Sequence, residues 1–189
     1  MTSRIPDDLP DFTEHTLDSQ SLLEGNFIRL RSDRIRLPDG SEGARQYLIH
    51  PGAVMIAAFV DEAHLLFEHQ YRYALRRHFL ELPAGKIDPN EAHHETARRE
   101  LREETGYVAE SWNHVATMHP GIGYSTEVIE LYVAHDIRYI GHQRDEGEFL
   151  EVFPLKLSHA VEMVRDGSIT DGKTAFALLW LDRFGSSKK

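Results

Sequence analysis

The sequence contains no cysteine. Disulfides, thiolate metal sites and cysteine nucleophiles are therefore excluded, which fits a reducing compartment. Long hydrophobic runs are also missing. The most apolar stretch, AVMIAAFV from Ala53 to Val60, falls far short of the ~20 residues that cross a bilayer. Positive charge is scarce: 31 acidic residues face 21 Lys and Arg, for a net charge of −10. That balance weighs against a general affinity for nucleic acid or anionic membranes. The small patch of Arg76, Arg77 and His78, with Tyr71 and Tyr73 interleaved, does not reverse it. An anionic small molecule stays admissible wherever cations are local. GxSxG, P-loop and HExxH patterns are absent, so serine-hydrolase, P-loop NTPase and zincin chemistries have no support. The start, MTSRIPDDLPDFTEH, is acidic and proline-interrupted without an apolar core, so no signal peptide and a cytoplasmic location are expected.

What is present is a chain of 189 residues, the size of one ordinary domain with a small extension. Residues 1 to about 25 are polar and poorly periodic and read as a loose arm. FIRLRSDRIRLPDGS alternates apolar and polar residues into the turn signal Pro38-Asp39-Gly40, so Phe27 to His50 is expected to be a hairpin. Residues 1–50 are taken as an N-terminal arm and hairpin, and 51–189 as the main domain. AVMIAAFV suits a buried central strand, followed by strand-like HLLFEHQYR and FLELPAG. Further strand patterns cover Val115 to His119, Glu127 to Ala134 and Phe149 to Leu155, and LSHAVEMVRDG and GKTAFALLWLDRF read as helices. The expected class is α/β: a mixed sheet between helices, preceded by a small β-hairpin region.

The segment GKIDPNEAHHETARRELREETGY, Gly85 to Tyr107, carries an unusual density of carboxylates. Asp88 as N-cap, Pro89 at the first helical position and Gly106 after the last predict a helix from about Pro89 to Thr105. Glu91 would then complete a variant capping box. At 100° per residue, Glu103 and Glu104 fall about 60° and 40° to either side of Glu100. All three crowd the negative end of the helix dipole. Two readings fit this pattern. One is a solvated face laced by Glu95–Arg99, Arg99–Glu103 and Glu95–Arg98 pairs. The other is a site for a divalent cation, where oxygen-only donors suit Mg²⁺ or Mn²⁺ better than zinc. The adjacent His93 and His94 are expected on different faces of the helix, as surface or neutral structural groups.

The joint pattern decides between them. Gly85, five residues, Glu91, seven residues, then Arg99-Glu100-Leu101-x-Glu103-Glu104-x-Gly106 resembles the Nudix box. Tyr107 departs from the aliphatic residue the box prefers, a difference of packing. The likeness extends over most of the chain to the ADP-ribose pyrophosphatase-like group, through LPDG, HPGAV, HQYR, ELPAGKID and PGIGYSTE, with Pro120 a short way beyond the box. It implies an α/β/α sandwich and Mg²⁺-dependent hydrolysis of ADP-ribose to AMP and ribose 5-phosphate. Another nucleoside diphosphate sugar such as GDP-mannose, or a non-catalytic Nudix-like sensor, are the alternatives. Sensors tend to lose box glutamates, and none is lost here.

The same resemblance implies roles for individual residues. Glu100 and Glu104 are expected to be metal ligands, with Glu103 in the cluster and the carbonyl of Ala84 beside them. Gly85, Glu91, Arg99 and Gly106 hold the loop and helix together. Arg72 is expected on the phosphates, and the carboxylate of ELPAG, Glu81 beside Leu82, belongs to the substrate-binding set. Glu146 in RDEGEFLEV matches the group's base or water-positioning glutamate, with Glu148 as runner-up. Phe27 and Arg45 are candidates for contacts to the adenine. A homodimer built through the N-terminal strands is the expected assembly, with a nucleotide sugar as the small-molecule partner and neither nucleic acid nor membrane.

Overall fold

A computed structural model describes residues 9–25, 28–141, 143–144, 147 and 149–185. The chain divides into two compact units, residues 1–50 with 121–126, and residues 51–120 with 127–189.

The first unit is an antiparallel meander of β1 (His15–Glu24), β2 (Arg29–Arg36) and β3 (Glu42–Ile49). The expected hairpin is β2 and β3, paired from Arg29↔Ile49 to Arg36↔Glu42. The loose arm expected before it is instead a strand through residue 24. Its pairing with β2 satisfies the backbone although every β1 residue is exposed, and side-chain periodicity carries no trace of such a strand. Gly40, at φ 85°, supplies the left-handed turn between β2 and β3. Residues 121–126 join this unit through Leu48, whose N–H donates to the Tyr124 carbonyl and whose carbonyl accepts from Thr126.

The second unit is organised by the parity of its strands. It contains a four-stranded mixed sheet, ordered β7 (Ala84–Lys86), β4 (Ala53–Ala58), β9 (Ile129–Tyr139), β8 (Tyr107–Met118). The β4 and β9 strands run parallel, and the outer pairs are antiparallel. An antiparallel sheet of β10 (Leu150–Lys156), β5 (His64–Arg72) and β6 (Arg77–Glu81) lies in the same unit. All six residues of β4 are buried, so its alternate side chains feed two cores. Met55 and Ala57 join Leu65, Phe67 and Leu131 against α2 (Leu157–Arg165) and α3 (Gly172–Phe184), through Ala160, Leu178 and Leu181. Val54, Ile56 and Ala58 join Leu66 and Tyr132 against Ala97 and Leu101 of α1 (His93–Glu100). Helices therefore cover both faces, giving the expected α/β/α sandwich. Among the described residues no helix is long and apolar enough to cross a membrane.

The acidic helix starts later than its capping signals predict. Asn90 sits at φ 66°, which no helix can propagate, so α1 opens at His93 with Ala92 as its extended N-cap, and Asp88 to Glu91 forms a turn. Past Glu100 the coil widens to a π-helical turn, Leu101–Thr105, closed by Gly106 at φ 78°. His93 and His94 do not diverge as expected. Both rings approach Tyr132, at centroid distances of 5.7 and 5.8 Å.

Candidate active site

The box residues converge where α1 and its π-helical extension meet β7. Gly85 is required by proximity: a Cβ there would fall inside the Glu100 carboxyl group. Glu104, 6% exposed, accepts a hydrogen bond at Oε2 from the Ala84 N–H at 3.1 Å. Two box carboxylates are thus seated against consecutive residues of one short strand. The π-helical turn carries Glu103 and Glu104 and departs from regular helical phase at that point, a feature that recurs at functional sites.

Arg99 is the hub of the cluster. Its Nε donates to Glu91 Oε1 at 3.0 Å and Nη2 to Glu91 Oε2 at 2.9 Å. Its Nη1 is shared between Glu100 Oε1 and Glu103 Oε2, each at 2.9 Å, and Nη2 also reaches the Lys86 carbonyl at 3.2 Å. The Arg99–Glu103 pair expected from helical spacing is present. Glu95 pairs with His94 instead of Arg99, because Arg99 turns toward the loop that precedes the helix. Glu91 also accepts from Thr96 Oγ1 at 2.8 Å and from the Asp88 N–H at 3.3 Å. The Arg99 bonds, then those of Thr96 and Asp88, outweigh burial and bring the Glu91 carboxyl down to about 2. The same contacts, with Glu91 foremost, raise the Arg99 guanidinium further above its already high range.

Arg72 and Glu81 meet in a bidentate pair at 2.7 and 2.8 Å. Glu81 is 3% exposed and lies on β6 opposite Glu68 of β5. Burial alone would raise its pKa, but Arg72 and Lys173 together hold it below the usual carboxylate range. Lys173, at the start of α3, donates to Glu81 and to Asp171, the latter at 2.8 Å. The Arg72 guanidinium is raised first by Glu81 and also feels the charge of Glu104, which ties this network electrostatically to the box. Next to it, Thr174 Oγ1 accepts the Leu82 N–H at 3.0 Å.

Sequence reasoning missed Lys173, Thr174 and Arg144. Arg144 donates from Nε to the Glu104 carbonyl at 3.0 Å and from Nη1 to the Leu150 carbonyl at 2.8 Å. With the N–H groups of Gln143 and Ile140, which bond the Glu103 and Gly106 carbonyls, it satisfies the end of the π-helical turn. A cation near helical C-terminal carbonyls is a legible preference, but its partner forty residues away is not. Arg45 lies in the first unit on β3 and pairs with Glu14, through Nε at 3.0 Å. Phe27, Glu146 and Glu148 lie outside the described residues. Tyr107, the departure from the box, packs edge-on to Tyr139 at 5.3 Å and lies against the α1-side core.

The arrangement suits an anionic diphosphate only with cations present. Glu100 and Glu104, seated against β7, are hard oxygen donors of the kind that suits Mg²⁺ and its relatives. Gly85 leaves the room in which the Glu100 carboxyl stands, so the residues fit such a group. Among the described residues no three acidic or histidine side chains already stand as a metal cage, since Arg99 draws the Glu100 and Glu103 oxygens to itself.

Residues 49–171 match the NUDIX domain model. The chain belongs to the Nudix family. Residues 14–48 match the nucleoside diphosphate sugar hydrolase N-terminal domain. An ADP-ribose pyrophosphatase from Bacillus subtilis (strain 168) is 34% identical over 89% of this chain and 92% of its own. A methanol dehydrogenase activator from Bacillus methanolicus is likewise 34% identical, over 90% and 93%. The crystal structure of an ADP compounds hydrolase superimposes with a TM-score of 0.82, covering 95% of this chain and all of that one, at 24% identity. This Nudix chain is accordingly a hydrolase by family, and divalent cations are the family's general cofactors.

Proposed function

We propose that this Nudix hydrolase splits the diphosphate of ADP-ribose with water, giving AMP and ribose 5-phosphate, with Mg²⁺ as its cation and Mn²⁺ as a substitute. The observation that carries the reading is the seating of Glu104 on Ala84 and Glu100 at Gly85, with Glu103 held by Arg99 and the charge of Glu104 felt by Arg72 of the Arg72–Glu81 pair. The similarity to an ADP-ribose pyrophosphatase along almost the whole chain supports the choice of substrate.

Glu100, Glu104 and the Ala84 carbonyl would hold the metal, with Glu103 beside them. Bound there, a divalent cation offsets the diphosphate charge and lowers the pKa of water. Arg72 points two of its nitrogens at Glu81 and keeps Nη1 for a phosphate oxygen. Glu81 and Lys173 fix that guanidinium in place, so less of its freedom is lost on binding. Glu146, or Glu148 in its place, takes the proton of the attacking water. Phe27 and Arg45 contribute to the adenine. The protein acts in the cytoplasm as a homodimer through its N-terminal strands. The full exposure of β1, including Leu22 and Leu23 at 44% and 51%, supports that assembly.

Purified protein assayed with Mg²⁺ against ADP-ribose and GDP-mannose tests the reading. A higher kcat/KM for ADP-ribose, with AMP as product, is expected. A preference for GDP-mannose would replace the substrate, and binding without turnover would replace the enzyme with a sensor.

A further inference from the structure

The second unit contains a cavity of about 360 Å³ lined by α1, the π-helical turn, the start of β8 and Gln143. That volume lies at the small-molecule end of ligand sites. Its walls include Arg98, Arg102 and Trp112. Arg98 and Glu100 are two residues apart in α1, so they project about 160° apart around the helix. Arg98 therefore faces away from the Glu100 side of the box.

The charges in this cavity are unevenly settled. Two of its three carboxylates, Glu91 and Glu103, are bonded by Arg99, and the third, Glu95, turns to His94 Nδ1 at 3.5 Å. Arg98 and Arg102, one turn apart and both exposed, make no hydrogen bond or ion pair among the described residues. On a chain of net charge −10, two guanidiniums four positions apart that make no ion pair among the described residues are unusual. Guanidiniums four residues apart repel unless an anion lies between them. The Trp112 indole is fixed by its own Nε1, which donates to the Ala109 carbonyl at 3.1 Å. The edges of His94 and Tyr132 pack around it, at 5.9 and 6.1 Å. Val108 and Ala109 add apolar wall, and Gln143 an amide.

A fixed indole on the same cavity wall as two guanidiniums that take no partner among the described residues suits a flat ring that carries a phosphate. We infer that this cavity binds a nucleoside monophosphate, with the base on Trp112 and the phosphate between Arg98 and Arg102. The proposed contacts, Arg98, Arg102 and Trp112, are not among the residues assigned to the diphosphate, so the inference does not rest on the hydrolytic reading. The cavity shares Glu91, Arg99 and Glu103 with the box, so its ligand bears on residues that position Glu100.

The test uses the full chain in EDTA, with AMP, adenosine and inorganic phosphate as probes. A Trp180→Phe background leaves Trp112 as the remaining indole of the chain's two. Fluorescence and calorimetry are expected to show AMP quenching Trp112 and binding at least ~10-fold tighter than adenosine or phosphate, since the two contacts act together. Arg98→Ala/Arg102→Ala should weaken AMP by ~10-fold or more with unchanged thermal melting, each lost charge-assisted bond counting for about that factor. Arg98→Gln/Arg102→Gln repeats the measurement should the alanine protein unfold. Arg72→Ala and Glu104→Gln should leave the AMP quenching of Trp112 intact. No quenching of Trp112 by AMP, quenching that survives both double substitutions, or its loss in Arg72→Ala instead would each overturn the site. Equal affinity for phosphate and AMP would overturn the role of Trp112. Turnover of ADP-ribose is a separate assay, so failure of the hydrolytic reading and failure of this site are told apart.

Discussion

At the scale of single residues, the box is held by contacts that separate folding from chemistry. Gly85→Ala has no room beside the Glu100 carboxyl. It should push Glu100 away, cost about 1–3 kcal/mol of stability, and lower kcat more than it raises KM, as denaturation and steady-state kinetics would show. Glu100→Gln and Glu104→Gln should lower kcat by two or more orders of magnitude while the circular dichroism stays native. Turnover near that of the wild type would reject their assignment as metal ligands. Glu91 has a different signature. Its folded pKa of about 2 lies below its ordinary value of 4.5, so the folded state binds fewer protons there than the unfolded chain. The stability it contributes is complete above about pH 4.5 and is lost as pH falls toward 2. Wild-type melting temperature should fall across that window, and Glu91→Gln should show a shallower fall from a lower starting point.

At the scale of elements, the chemistry depends on where α1, its π-helical turn and α3 are pinned. Leu101, fully buried in the α1-side core, anchors the turn that carries Glu103 and Glu104. Leu101→Ala should cost about 2–5 kcal/mol by removing that anchor. Arg144 ties the end of the same turn to the start of β10 through two carbonyls. Arg144→Met should leave those carbonyls without their donor, cost about 1–3 kcal/mol, and raise amide exchange around Glu104. The lesson about legibility sits at this scale. Gly85, Glu91, Arg99 and the glutamates were readable through the family resemblance that their joint pattern carries. Spacing along one loop and one helix encodes them. Lys173 and Arg144 were not readable, because their partners lie 92 and 40 residues away and a lone cation on a sequence names no partner. The helix start was misplaced for a related reason: Asp88, Pro89 and Glu91 are good capping residues, but Asn90 took the left-handed conformation and spent them on a turn.

At the scale of the whole molecule, metal and assembly are the tests. Chelation should abolish hydrolysis without unfolding the protein, because Arg99 already offsets part of the carboxylate charge when no cation is bound. A large fall in melting temperature in EDTA would show that the metal is structural. The proposed homodimer should sediment as such, and Leu22→Asp/Leu23→Asp should shift it toward monomer if β1 is the interface. Unchanged sedimentation would place the interface elsewhere.

The sequence by itself determined the chemistry of this protein: oxygen donors without sulfur, a carboxylate cluster at fixed helical spacing, and strand parity that puts helices on both faces of a sheet. These follow from residue type and local periodicity, which survive without knowledge of the fold. Tertiary structure alone decided how the cluster is balanced. It turned Arg99 to three carboxylates at once, widened the helix at Glu103 and Glu104, and brought Lys173 to Glu81 and Arg144 to the Glu104 carbonyl. Burial is what makes those distant partners necessary, because a carboxylate taken out of water must find its cation, and a helix-end carbonyl its donor, wherever the chain can supply one.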